Sequence, residues 1–322
     1  MKSIFKISLL ILGFVLSSCS YQFDLDKLKS EPKIVLYSYP GFKDTTIIRL
    51  SESMPVSRIK QKSSDLSKTK IQMFKNDKSI PVYWTNDSVP GIPAKSFYTQ
   101  LKFSVGDVIK IKTEGILKDI EAETQVPEIF PLEGIDLIHK QSINNQIQFQ
   151  IKFQDNILET NYYAIKIDRK TMYWTDGEYS EINNTIEPDL TDEPLLKNTS
   201  GLNDIFLIDN DYIYNLYYWS DHDINGRDYT LRLNTNYMPD YEDHGLNHVI
   251  CKTQYKVTLY TLSIDLYLYL NSLRNQMGNN LGNAELAPIR PTYTNISNGI
   301  GILGGCQVLS SEWINNLKTN EL

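Results

Sequence analysis

The chain has 322 residues, a net charge of −7 and a mean hydropathy of −0.34. That length admits two domains of ordinary size. A moderately acidic chain is a poor match for nucleic acid or for an anionic membrane leaflet, both of which repel it.

In chain order, Lys2 and Lys6 come first, followed by an apolar run, Ile7 to Leu16, and then Ser17-Ser18-Cys19. The run is about half the length a membrane-spanning helix requires. Two small residues before a cysteine form a bacterial lipobox, so residues 1–19 read as a lipoprotein signal peptide ending in its lipobox cysteine. Cys19 is then lipidated and becomes the mature N-terminus. An ordinary secretory signal with a chance cysteine is the alternative. A diacylglycerol together with an amide-linked chain exceeds the two-signal requirement for stable anchoring. Removing Lys2 and Lys6 makes the mature body more acidic, near −9. Residues 20–31 are polar and charged and read as a tether.

From Lys33 the pattern turns to short β-rich runs between turn residues. Strands are expected at 33–38, 45–51, 71–75, 82–85, 96–101, 108–113 and 120–125. In Val108-Ile-Lys-Ile-Lys-Thr113 aliphatics alternate with lysines, as one buried face requires. Pro40-Gly41, Asn76-Asp77, Pro90-Gly91 and Gly106-Asp107 supply turns. About seven short strands in some hundred residues predict an immunoglobulin-like β-sandwich over 32–128. Pro127 and Pro131 mark the boundary.

Residues 129–322 read as a larger β-rich domain with one C-terminal helix, so the whole chain is expected to be mainly β. Ile147, Phe149, Ile151 and Phe153 alternate with polar residues in the cleanest strand. Further strands fall at 162–168, 171–174, 229–234 and 254–262. Residues 176–203, acidic and proline-punctuated, read as a long surface loop. Ser263 is a good N-cap, and Leu266, Leu270, Leu273 and Met277 recur at helical spacing before Gly278. This predicts a helix over about 263–277. Asn295 to Leu309 is small, glycine-rich and apolar, suggesting a last strand closely approached by other backbone.

Tyrosine occurs 21 times. The abundance suits strands on half-wet surfaces. It also allows an aromatic recognition face, with Trp174, Tyr217, Tyr218 and Trp219 as candidates.

Local motifs offer little chemistry. Asp221, Asp223, Asn225 and Asp228 match the first half of a calcium loop, but Arg232 stands where a bidentate glutamate is required. A polar hairpin turn with Asn225-Gly226 at its apex is the competing reading. Gly299-Ile-Gly301-Ile-Leu-Gly304 has the spacing of a dinucleotide fingerprint, yet too little chain follows for a βαβ unit. His244 and His248 are four apart, but their surroundings read as an acidic loop. No nucleophile motif is present, and neither a cofactor nor an enzymatic activity is expected. Cys251 and Cys306 either close one long disulfide loop or remain two buried thiols.

Several segments in order carry a family resemblance. They are Pro32 to Leu36, Thr46 to Val56, Gly106 to Ile111, Ile120 to Pro127, Asn225 to Leu231, the helix beginning at Ser263, and Pro291 to Gly305. On these the chain resembles DUF4249, a domain-of-unknown-function family of two-domain lipoproteins in the Bacteroidetes. Asp24 and Asp26, soon after Cys19, loosely resemble the surface-export signals of such lipoproteins. The resemblance implies a lipid-anchored outer-membrane protein, facing the cell surface, that partners a TonB-dependent barrel transporter by capturing ligand or covering its mouth. It carries no catalytic residues. A surface adhesion or structural lipoprotein is the alternative, with a hydrolase behind both.

Overall fold

The computed structural model describes residues 31–53, 64–115, 117–140, 145–197, 199, 201–202, 205–208, 211–213, 215–243, 249–277 and 291–319. Cys19, the signal segment, the tether up to residue 30, His244 and His248 lie outside the described residues.

The first module contains Ile34–Ser38 (β1), Thr46–Glu52 (β2), Lys70–Lys75 (β3), Lys78–Ile80 (β4), Tyr83–Thr85 (β5), Ser96–Thr99 (β6), Val108–Glu114 (β7) and Glu121–Gln125 (β8). Seven of these eight fall on the runs expected from the sequence, and the short β4 was not expected. In β7, Ile109, Ile111 and Thr113 are buried, while Lys110 and Lys112 meet Glu123 and Glu121 across β8 at 2.8 and 3.2 Å. Opposite charges directly across an antiparallel pair add to the apolar face on the other side. β3 and β4 form a hairpin around Asn76 and Asp77, both at positive φ, the backbone that a two-residue turn demands. The β4-β3-β7-β8 sheet stacks on a sheet containing β1, β2, β6 and β5, and Leu36, Ile48, Met73, Ile109 and Ile111 fill the space between them.

The second module follows with Leu132–Lys140 (β9), Gln146–Gln154 (β10), Tyr162–Thr175 (β11), Glu178–Thr185 (β12), Ile205–Ile208 (β13), Asp211–Ile213 (β14), Tyr217–Ser220 (β15), Asp228–Asn236 (β16), Tyr241–Asp243 (β17) and Val249–Leu262 (β18). β11 and β18 pair without interruption from Tyr162↔Leu262 to Thr175↔Val249, making a ribbon of roughly 45 Å. Its proximal half is flanked by β15, and its distal half by β12 and β17. β16, β10 and β9 form the facing layer, and the alternation in β10 turns Ile147, Phe149, Ile151 and Phe153 into a core shared with Tyr163, Ile165, Val257 and Leu259. The helix Ile264–Met277 (α1) covers the opposite face of the proximal ribbon, with Leu266 and Leu270 against Ala164, Tyr218, Tyr260 and Leu262. Ser263 Oγ accepts from the Leu266 amide at 3.3 Å, as the sequence expected of an N-cap.

The remaining strands return to all three earlier layers. Ile300–Leu303 (β19) lies parallel to β1, Cys306–Ser310 (β20) pairs with β18, and Leu317–Thr319 (β21) lies parallel to β9. The first sandwich therefore draws a strand from beyond residue 128. This closes the edge of β1, whose unpaired amides and carbonyls would otherwise face outward. Close approach is possible because Gly301 and Gly305 lack side chains: a β-carbon on Gly305 would meet the Gln125 carbonyl oxygen at 2.0 Å. The expected close approach of other backbone is met here, although the segment holds two strands and is followed by a third.

Two expected loops take another form. Within 176–203, residues 178–185 are strand β12, and the stretch around Glu193 is fastened to β16: its buried carboxylate accepts from the Tyr229 hydroxyl and the Leu195 and Arg232 amides at 2.6–3.0 Å. The acidic composition marks side chains acting as acceptors for backbone donors, not only a solvated loop. Asn225-Gly226 is not a hairpin apex either. β15 belongs with β11 and β16 with β10, so this segment crosses between layers.

The chain is thus mainly β with a single α-helix among the described residues. No described helix is long and apolar enough to cross a membrane.

Candidate functional site

Three of the four aromatic candidates are core residues. Tyr217, Tyr218 and Trp219 are only 3, 2 and 4% exposed. β15 lies between layers, so Tyr217 and Trp219 pack into the core with β10 while Tyr218 packs under α1. A strand covered on both faces loses the alternation that separates wet from dry positions. Burial also pushes the Tyr217 hydroxyl up to about 12. These three residues offer no recognition face. Trp174 is different: it is half-buried and lies on the distal ribbon.

The four calcium-loop candidates do not converge. Asp221 is buried and its carboxylate accepts from the Asn161 amide at 2.7 Å, while Asp223, Asn225 and Asp228 are exposed. Residues 221–223 form a 3-10 turn that closes through the Ile224 amide on the Asp221 carbonyl. Burial, with the neighbouring Asp155 carboxylate, holds Asp221 above the usual carboxylate range. Asp155 is itself engaged by the Tyr163 hydroxyl at 2.6 Å and the Gly226 amide at 2.9 Å. Among the described residues no group of three acidic, histidine or cysteine side chains is arranged to hold a metal.

Cys251 and Cys306 are both free and buried, which corrects the possible disulfide. Cys306 pairs with Leu262 at one end of β18, and Cys251 lies near the other end, so roughly 35 Å of strand separates them. Burial raises both thiols above their ordinary range.

Two surfaces remain. One is an open cleft of about 500 Å³ between the modules, lined by Gly106, Gln125, Glu128, Glu159, Asn161 and Asp265 among others. It has no basic side chain in its lining, and Asp265 already accepts from the Tyr293 hydroxyl at 2.6 Å.

The other is the distal half of the β11–β18 ribbon with β12 and β17, where Thr171, Cys251 and Thr253 are buried but several large apolar side chains are not. The three cores take residues of β11 only as far as Ile167 and of β18 only from Tyr255 onward. Beyond them, Trp174 stands opposite Tyr179 and Ile250, with the Trp174 and Tyr179 rings 5.4 Å apart. Residues opposite one another in register share a face. Tyr173 and Tyr241, both opposite Cys251, occupy the other face. Tyr179, Ile182 and Tyr241 are 54, 57 and 49% exposed. The hairpin between β11 and β12 turns at Asp176-Gly177, both at positive φ. That dipeptide between β-forming residues was the signal that could have located β12 in the sequence.

Stacked sheets in two modules, a helix sealing one face and an apolar arm beyond the cores define a two-module β-sandwich protein with a projecting surface. A profile of the family described as Domain of unknown function (DUF4249) matches residues 20–312, and the chain belongs to that family. No curated protein matches it.

Proposed function

We propose that this protein is a lipid-anchored component of the outer membrane, facing the cell surface and tethered through Cys19. It acts as a non-catalytic accessory of a TonB-dependent barrel transporter, capturing ligand or covering the mouth of the barrel. The observation that supports this reading best is the distal arm, which carries Trp174, Tyr179, Ile182 and Tyr241 outside any core. Exposed apolar groups gathered on one projection mark an interaction site. A tethered body that holds ligand beside a barrel raises the effective concentration at its entrance without covalent chemistry.

The test is purification of the C-terminally tagged lipoprotein from gently solubilised outer membranes, with mass spectrometry of its companions. A stoichiometric TonB-dependent barrel supports the proposal. A protein that leaves the membrane alone overturns it in favour of adhesion. Cys19→Ala is expected to release the protein from the membrane fraction.

A further inference from the structure

β12 is an edge strand. It pairs with β11 from Asp168↔Thr185 to Thr175↔Glu178, and among the described residues no strand pairs with its other side. Every residue from Glu178 to Asn184 is exposed. An open edge leaves alternate amides and carbonyls without a protein partner, and proteins ordinarily blunt it with proline, lysine or a bulge. β12 has no proline, lysine or bulge, and the charges it carries are the glutamates at 178 and 181: its sequence is Glu-Tyr-Ser-Glu-Ile-Asn-Asn-Thr and its register is unbroken.

The side chains beside this edge specify what could join it. Trp174 and Tyr179 form an apolar strip on one face, and Ile182 lies on the other. Across residues 168–185, 240–243 and 249–252, the acidic groups are Asp168, Asp176, Glu178, Glu181, Asp240, Glu242 and Asp243, and they outnumber the basic Arg169, Lys170 and Lys252. Tyr179 and Asn183 hydrogen-bond the Glu181 carboxylate at 2.5 and 3.0 Å, holding it against the strand. A second copy of the chain would bring the same glutamates to the seam, where like charges oppose pairing. A basic strand meets opposite charge instead.

We propose that the free edge of β12 takes up an extended, lysine- or arginine-bearing segment of a partner protein as an added strand, with Trp174 and Tyr179 gripping its apolar side chains. Main-chain hydrogen bonds provide the affinity, and alternate side chains provide the selectivity. This deepens the docking reading above: it rests on the arm being a partner surface but not on the partner being a transporter.

The test uses the full lipoprotein in detergent and a synthetic peptide alternating lysine and threonine around a central tyrosine. A glutamate version and a version N-methylated at alternate residues serve as controls. Hydrogen exchange followed by mass spectrometry is read at residues 178–185. With peptide at about ten times its Kd, the lysine peptide is expected to slow exchange there by about tenfold. The glutamate peptide is expected to have no effect, and N-methylation on the pairing edge to abolish protection. Glu178→Lys with Glu181→Lys, both at exposed positions, is expected to reverse the charge preference. Absence of protection at millimolar lysine peptide overturns the inference, as does binding that survives N-methylation on the pairing edge. If protection is seen but no barrel co-purifies, only the transporter role falls. If a barrel co-purifies and β12 stays unprotected, strand addition alone falls.

Discussion

Gly301 and Leu36 are in contact through backbone alone: a β-carbon on Gly301 would lie 2.1 Å from the Leu36 carbonyl oxygen. Gly301 also has φ +103°, outside the range that side-chain-bearing residues adopt readily. This contact lets β19 join β1 and so joins the end of the chain to its first strand.

Gly301→Ala is therefore expected to cost about 3 kcal/mol or more, combining backbone strain with a clash against main-chain atoms that cannot rotate away. A urea unfolding curve checks it. The midpoint should fall well below that of Gly134→Ala, where an added β-carbon meets nothing within 4 Å.

Glu193 is fully buried and accepts three hydrogen bonds, two from amides and one from Tyr229. Glu193→Gln preserves the shape but presents an NH2 group to a donor. The expected loss is about 2 kcal/mol, since a buried donor facing a donor forfeits both partners. Tyr229→Phe should cost less, about 1 kcal/mol, because the carboxylate keeps its two amides. Thermal unfolding of both variants tests the order.

Asp107 and Asp221 predict opposite responses to acid. Burial tends to raise Asp107, but Lys75 at 2.7 Å, the Ser104 amide and Asn76 outweigh it and hold the group below its ordinary range. A depressed folded pKa contributes stability above the unfolded value, near 4, and loses it as pH falls through the folded value. Asp221 is raised by burial, so its ionised form weighs against folding at neutral pH and the penalty disappears on acidification. Asp107→Asn should flatten the acid limb of the stability curve. Asp221→Asn should raise stability at pH 7 relative to its effect at pH 4. Stability measured from pH 3 to 7 for each variant decides both.

The two thiols are expected to stay silent in the folded protein. Cys251 and Cys306 are 3 and 4% exposed and too far apart to pair. Reductant should leave the unfolding temperature unchanged, and a maleimide should label these two cysteines only once denaturant has opened the chain. A shift of more than a degree or so on reduction would contradict the separation.

Much of the first module was legible because its strands have one dry face. Val108 to Thr113 alternates in sequence and alternates in burial. β10 and α1 were legible for the same reason, at periods of two and about three and a half. β12 escaped because neither of its faces is dry, leaving only Asp176-Gly177 to announce it. Tyr217 to Trp219 misled in the opposite way, since both faces are covered and tyrosine reads as half-wet wherever it occurs. The pairing of β1 with β19 was beyond local pattern altogether. Glycines at 301 and 305 showed that backbone would come close, but nothing in their neighbourhood says whose. Of the candidate surface, Trp174 alone was anticipated, and its partner Tyr179 lay in a segment read as loop.

The return of the last strands has a consequence for how the protein is made. Val35 cannot meet Ile300 until residue 300 has been synthesised, nor Leu137 meet Leu317 until residue 317 has. Each of these two sheets therefore keeps an open edge throughout elongation, and the long loops that must close make the final step slow. A chain broken off before residue 300 carries two unfinished sheets and is exposed to proteases and chaperones as incomplete. The segment from Ile300 to Thr319 thus closes sheets begun by Ile34 and Leu132, and both stay open until it has emerged.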